Sequence, residues 1–133
     1  MSEILKLGER LYAALGSSDG ETLMELLHPD FRGDTTPGLP FDLGGVYEGR
    51  DAMMHDCWGV IGQHFDMHSE VEHLAATDDA IMAYGTYRGT AKSTGKPIAA
   101  RFAHFWPVYG GRITGVHQTT DSAAWYTALE KDS

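Results

Sequence analysis

Groups able to move protons or hold an oxygen crowd the last third of the chain. Arg101, His104, His117, Gln118 and Asp121 lie within KPIAARFAHFWPVYGGRITGVHQTTDSAAW, among aromatic and β-branched residues. An imidazole titrates near neutral pH, which suits His104 to general acid–base work or to hydrogen-bonding an enolate oxygen. Flanked by Phe102, Phe105 and Trp106, it equally suits a structural role. Arg101 could hold a substrate carboxylate, or balance Asp34 or Asp121. His117 and Asp121 could form an orienting pair. Upstream, Asp34 stands beside a Pro/Gly-rich loop and is a second candidate base. That loop, 37–47, contains Leu39, Phe41, Leu43, Val46 and Tyr47, so it is expected to cover a pocket or the core, with Phe41 against any ligand.

Other chemistries find no support. The seven histidines include His64, His68 and His73, with His55 and Cys57 upstream, but the spacings match no zinc pattern. Gly44-Gly45 and Gly110-Gly111 lack the strand-to-helix setting of a phosphate loop. Cys57 has no evident catalytic partner. No metal and no cofactor are expected.

The elements that position these groups follow from periodicity. Ile4, Leu5, Leu7, Leu11, Tyr12 and Leu15 recur at helical spacing, ended by Gly16. A turn at 17–20 leads to a short helix, Thr22 to Leu27, stopped by His28-Pro29. Residues 30–36 predict a strand. A third helix opens at Gly49-Arg50-Asp51 and runs to about Gln63. Met53, Met54, Trp58, Val60 and Ile61 give it an apolar side, with Trp58 in the core or against a ligand. Strands are predicted from Met67 to Ala76 and from Ala80 to Thr90. In the latter, Ile81, Ala83, Gly85 and Tyr87 alternate with Met82, Tyr84, Thr86 and Arg88. Gly110-Gly111 then closes a long hairpin. Ser122 is a candidate cap for a last helix through Leu129, and residues 131–133 are expected to fray. Helices first and a strand meander last make an α+β signature: a curved antiparallel sheet forming a cone, helices on its concave face, in one domain spanning 1–133.

Composition bounds the partners. The 133 residues carry a formal net charge of −9, unsuited to nucleic acid or an anionic membrane and neutral toward a small molecule. No apolar run reaches the ~20 residues of a membrane span. Glu3 and Glu9 in the amphipathic N-terminal pattern argue against a signal peptide, and the single cysteine fits a reducing compartment, so a cytoplasmic protein is expected.

The motifs RLYAALGSSDGETLMELLHPDF, YEGRDAM, TYRGTAKSTGKP and FAHFWPVYGGRI, in this order, resemble the nuclear transport factor 2-like superfamily with its cystatin-like α+β barrel. Within it the chain is similar to SnoaL-like proteins, which include polyketide cyclases, and to ketosteroid isomerase-like proteins. The resemblance implies a homodimer and a pocket for a small hydrophobic carbonyl- or epoxide-bearing molecule, polyketide- or steroid-like. It implies cofactor-independent isomerisation, cyclisation or dehydration, with epoxide hydrolysis or plain binding as alternatives. His104 stands where SnoaL-like cyclases carry a histidine, seven residues before Gly111. Gln118 replaces their acid/base aspartate, with Asp121 close by. Ketosteroid isomerases place their base at Thr35, beside Asp34, and their hairpin acid at Ala103; Tyr12 lies next to an early family tyrosine. Asp34, His104 and Asp121 are thus the catalytic candidates. Tyr12, Phe41, Trp58, Arg101 and Gln118 are the substrate-binding ones. An Arg101–Asp121 set would suit the epoxide reading.

Overall fold

The computed structural model describes residues 2–131, so Asp132 and Ser133, expected to fray, lie outside the described residues. Helix α1 (Glu3–Gly16) is capped by the Ser2 hydroxyl, which accepts from the Leu5 N–H at 3.0 Å, and buries Gly8, Leu11 and Ala14. Helix α2 (Gly20–Leu26) is capped by Asp19, whose carboxylate accepts from the Thr22 N–H and hydroxyl. Strand β1 (Leu27–Thr35) begins earlier than predicted: Leu27 leaves the helix and His28-Pro29 is already extended. Pro29 has no N–H to give, and the β1 ladder to its neighbour skips from Leu27 to Arg32, so the proline costs no bond.

A strap, 36–44, carries one 3₁₀ turn at Pro40–Asp42 and leads to β2 (Gly45–Glu48), which pairs antiparallel with β1. The sequence predicted loop through Tyr47; two glycines and only four strand residues concealed β2. The third helical segment, 50–64, is α3 (Arg50–Ala52), a wide π turn (Met53–Trp58) and α4 (Gly59–His64). The remaining elements are β3 (Phe65–Ala76), β4 (Ala80–Ala91), β5 (Pro97–Tyr109), β6 (Arg112–Thr120) and α5 (Ser122–Leu129). Gly110 and Gly111 take φ of 61° and 79°, the left-handed pair a two-residue hairpin turn requires.

The α+β expectation holds. Six strands form one curved, unclosed sheet in the order β2-β1-β6-β5-β4-β3. Every pairing is antiparallel except β1 with β6, which is parallel. Irregularities between Val71 and His73 and between Phe105 and Val108 add bends to the sheet. Helix α1 packs on β3 and β4, and α5 on β4 and β5. Along β5 burial alternates residue by residue: Ile98, Ala100, Phe102, His104, Trp106 and Val108 turn in, while Ala99, Arg101, Ala103 and Phe105 turn out. Leu11, Phe31, Trp106 and Trp125 belong to the continuous core between these layers.

Candidate active site

His104 enters the core because strand alternation places it between Phe102 and Trp106. It stacks on Phe102 with ring centroids 4.3 Å apart. Each ring nitrogen meets a phenol. Nδ1 lies 2.6 Å from the Tyr12 hydroxyl of α1, and Nε2 lies 2.6 Å from the Tyr87 hydroxyl of β4. Trp106 Nε1–H donates to the Tyr12 oxygen at 2.9 Å, and Gln118 Nε2–H donates to the Tyr87 oxygen at 3.1 Å. The Gln118 amide has one orientation, because its Oε1 accepts from the Thr36 N–H at 3.1 Å and hydroxyl at 3.2 Å. The result is a continuous chain: Trp106, Tyr12, His104, Tyr87, Gln118, Thr36.

Electrostatics keep this chain neutral. Burial pushes the His104 imidazole down from 6.5 to about 3, so it carries one ring proton at physiological pH. Burial raises both the Tyr12 and Tyr87 phenols, and only partly do the hydrogen bonds from Trp106 and Gln118 oppose it.

The cluster forms the floor of a cavity of about 440 Å³. Its walls are Leu15, Leu23, Met53, Met54, Trp58, Ile61, Phe65 and Met67, and exposed Gly16, Ser18, Gly62 and His68 mark its rim. A π turn carries more residues per turn than an α-helix, and here it brings the pairs Met53-Met54 and Cys57-Trp58 to one wall. Among the described residues no carboxylate, ammonium or guanidinium lines the cavity. Cys57 does line it, but burial pushes its thiol up to about 12, so it is no nucleophile at neutral pH.

Of the residues the sequence nominated, His104, Tyr12, Trp58 and Gln118 meet at this cavity. Four others do not. Asp34 points away, because the inward position on β1 belongs to Thr35, 2% exposed; Asp34 lies 3.8 Å from His117 on the outer face. Thr35 spends its hydroxyl proton on the Leu43 carbonyl at 2.6 Å. Asp121 is exposed at the start of α5, past the end of β6. Arg101 projects outward by the alternation of β5, over the Tyr84 ring and 4.0 Å from Glu72. An arginine–aspartate set for epoxide opening is therefore not assembled in the cavity. Phe41 is 43% exposed and stacks on His64 with ring centroids 3.7 Å apart, outside the cavity lining. Tyr87 was not nominated. Its signal was present in the alternation of Ile81, Ala83, Gly85 and Tyr87, since a phenol on a buried strand face must find a partner. Among the described residues no three His, Cys, Asp or Glu side chains group in a way that could hold a metal ion. No helix of the described residues is long and apolar enough to cross a membrane.

The model of the SnoaL-like domain matches residues 9–116, most of the chain, leaving out the start of α1, the end of β6 and α5. This chain belongs to the SnoaL-like family. A nuclear transport factor 2-like protein of Burkholderia thailandensis is 26% identical, with a TM-score of 0.87 over 98% of this chain and 99% of that one. TerC, co-crystallised with polyporic acid, is 20% identical with a TM-score of 0.87, covering 98% and 100% of the two chains. IdmH of Streptomyces antibioticus, provisionally described as a polyketide cyclase, is 24% identical with a TM-score of 0.80, covering 96% and 99%. No curated protein matches the sequence significantly. Within this SnoaL-like chain, His104 and Gln118 face each other across β5 and β6 on the cavity side, and Ala103 lies outside. The polar floor thus rests on an imidazole, two phenols and an amide rather than on an acid.

Proposed function

We propose that this SnoaL-like chain is a small cofactor-independent enzyme that moves a proton on a neutral, mostly apolar, carbonyl-bearing molecule. Polyketide- and steroid-like ketones are of this class, and isomerisation, cyclisation and dehydration are the reactions such a transfer serves. The observation that carries the proposal is a neutral imidazole held between two phenols at the floor of an apolar cavity that, among the described residues, no carboxylate, ammonium or guanidinium lines. A charged ligand would lose its hydration there without a counter-charge. A carbonyl oxygen would meet a phenolic O–H donor, and such a donor in a dry site contributes several kcal/mol, about 3, to stabilising developing negative charge.

Binding and exchange of 2-tetralone, a neutral bicyclic ketone, test this. The ketone should quench Trp58 and Trp106 fluorescence saturably, 2-naphthoate should not, and the protein should accelerate deuterium uptake from D2O at the ketone's α-carbon. Equal binding of both, or of neither, contradicts the cavity assignment. Binding without accelerated exchange supports the second reading, a non-catalytic binding module, which the absence of any carboxylate among the described residues of the cavity wall favours.

The assembly proposed is a homodimer through the outer face of the sheet. Tyr84 and Phe105 are 41% and 42% exposed there, and line a shallow groove with His73, Met82, Ala103 and His117. A light-scattering mass of one chain would contradict it.

A further inference from the structure

The hydrogens of the floor cluster outnumber its internal bonds by one. Trp106 Nε1–H, the Tyr12 O–H, the single ring N–H of neutral His104, the Tyr87 O–H and the inner Gln118 N–H make five hydrogens. Four contacts join these groups: Trp106–Tyr12, Tyr12–His104, His104–Tyr87 and Gln118–Tyr87. The ends of the chain are fixed. An indole N–H only donates, and the Gln118 amide is oriented by Thr36. Each phenol oxygen therefore already accepts one bond from outside the His104 pair.

What stays open is the tautomer of His104. With the proton on Nδ1, the ring donates to Tyr12 and accepts from Tyr87, and the Tyr12 O–H is left over. With the proton on Nε2, the ring donates to Tyr87 and accepts from Tyr12, and the Tyr87 O–H is left over. Both phenols line the cavity. The two arrangements have the same number of bonds and no charge in either.

We infer that Tyr12, His104 and Tyr87 form a two-ended neutral proton relay, in which both phenols act on the substrate and His104 passes the proton between them. The inference rests on the proposal of a neutral carbonyl substrate in this cavity. In the first arrangement the Tyr12 O–H hydrogen-bonds the substrate carbonyl. The α C–H bond breaks and its proton goes to the Tyr87 oxygen. The Tyr87 hydrogen passes to Nε2, the Nδ1 hydrogen passes to the Tyr12 oxygen, and the Tyr12 hydrogen goes to the carbonyl oxygen. The C–H electron pair becomes the enol double bond, so the substrate leaves the step as a neutral enol. The protein is then in the second arrangement. Running the relay back, with Tyr87 returning its proton to the same or a conjugated carbon, restores the ketone and resets the protein. The outcome is exchange of the α-hydrogen or migration of a double bond, with no oxidant, reductant or cofactor.

A lone base at His104 would instead leave an imidazolium and an enolate, a separated charge pair that, among the described residues, no carboxylate, ammonium or guanidinium of the cavity lining helps to hold. The relay avoids it because one ring nitrogen gains a proton as the other loses one.

The test uses the full chain with 2-tetralone in mixtures of H2O and D2O, following α-exchange by NMR. The relay predicts a curved dependence of rate on deuterium fraction, since several protons move together. Tyr12→Phe and Tyr87→Phe should each slow exchange by about 100-fold or more. His104→Gln, which accepts and donates but cannot pass a proton from one atom to the other, should do the same, with the Kd for 2-tetralone changed less than about fivefold. A linear dependence, or full exchange in either phenylalanine variant, overturns the relay while leaving the proposed function standing. No catalysed exchange in the parent protein overturns both. The proton inventory is measured on the parent protein and so decides the relay even where a variant fails to fold.

Discussion

Gln118 stands directly opposite His104 across β5 and β6, yet its amide donates to the phenol of Tyr87, 3.1 Å away. The amide thereby sets the hydrogen count of the whole floor: it supplies a donor to a phenol that must also serve the imidazole. A carboxylate at the same position could only accept. Gln118→Glu should draw the Tyr87 O–H onto itself, leave His104 donating through Nε2 and accepting from Tyr12, and remove the spare hydrogen. Losing that hydrogen bond should weaken 2-tetralone binding by about 1 kcal/mol, roughly fivefold in Kd, measured by tryptophan fluorescence titration. Unchanged or tighter binding would show that the cluster has no spare donor to lose.

The buried imidazole couples folding to pH. His104 gains its second proton at about pH 3 in the folded chain, against 6.5 when unfolded. Below pH 6.5 the unfolded chain therefore binds more protons, so stability drops as pH falls from 6.5 toward 3, by up to about 1.4 kcal/mol per unit. Above pH 6.5 the contribution is constant. Urea unfolding at pH 7.5, 6 and 5 should show this fall in the parent protein and a shallower one in His104→Gln. Parallel slopes would place His104 in a wetter, chargeable setting.

The backbone bulge of β6 is a second lever. Ile113 and Gly115 are buried, but so is Val116, and this break in alternation turns Gln118 rather than His117 toward the cavity. Gly115 makes the bulge tolerable because β1 passes close behind it: an added Cβ would lie 2.7 Å from the Arg32 carbonyl oxygen. Gly115→Ala should cost about 1–3 kcal/mol, read as a lower urea midpoint, with weaker 2-tetralone binding as Gln118 shifts. A neutral effect on both would mean that the β1–β6 approach relaxes freely.

The carboxylates outside the cavity should be dispensable. Asp34 lies on the outer face near His117, and Asp121 at the start of α5. Asp34→Asn and Asp121→Asn should each leave α-exchange of 2-tetralone within about twofold of the parent, whereas general acid–base groups are worth about 100-fold or more. A loss of that size in either variant would move the chemistry away from the His104 floor.

Much of this architecture was legible in the residues. The helical spacing of α1, the Gly110-Gly111 turn and the alternation of β4 lie in local patterns, and each appears where that pattern put it. The alternation of β5 alone places His104 inward and Arg101 outward. What escaped depends on contacts between distant segments. The short β2 exists because β1 offers it an edge. The parity of Gln118 depends on a bulge that no local periodicity reveals. Asp34 attracted notice as a carboxylate near a loop, but a strand faces the cavity with alternate residues, and Thr35 holds the inward place. The Tyr12–His104 contact spans 92 positions in the chain, so only the packing of α1 against the sheet could bring the pair together.

The central claim is a neutral, ligand-facing imidazole between two phenols, and side-chain 15N NMR of the histidine rings observes it directly. Titrated with 2-tetralone at pH 6, the His104 signals should be those of a neutral ring with one protonated nitrogen. They should shift saturably toward the form protonated at Nδ1 as the ketone takes the Tyr12 O–H. An imidazolium signal for His104 at that pH, or His104 resonances indifferent to saturating ketone, would contradict the account.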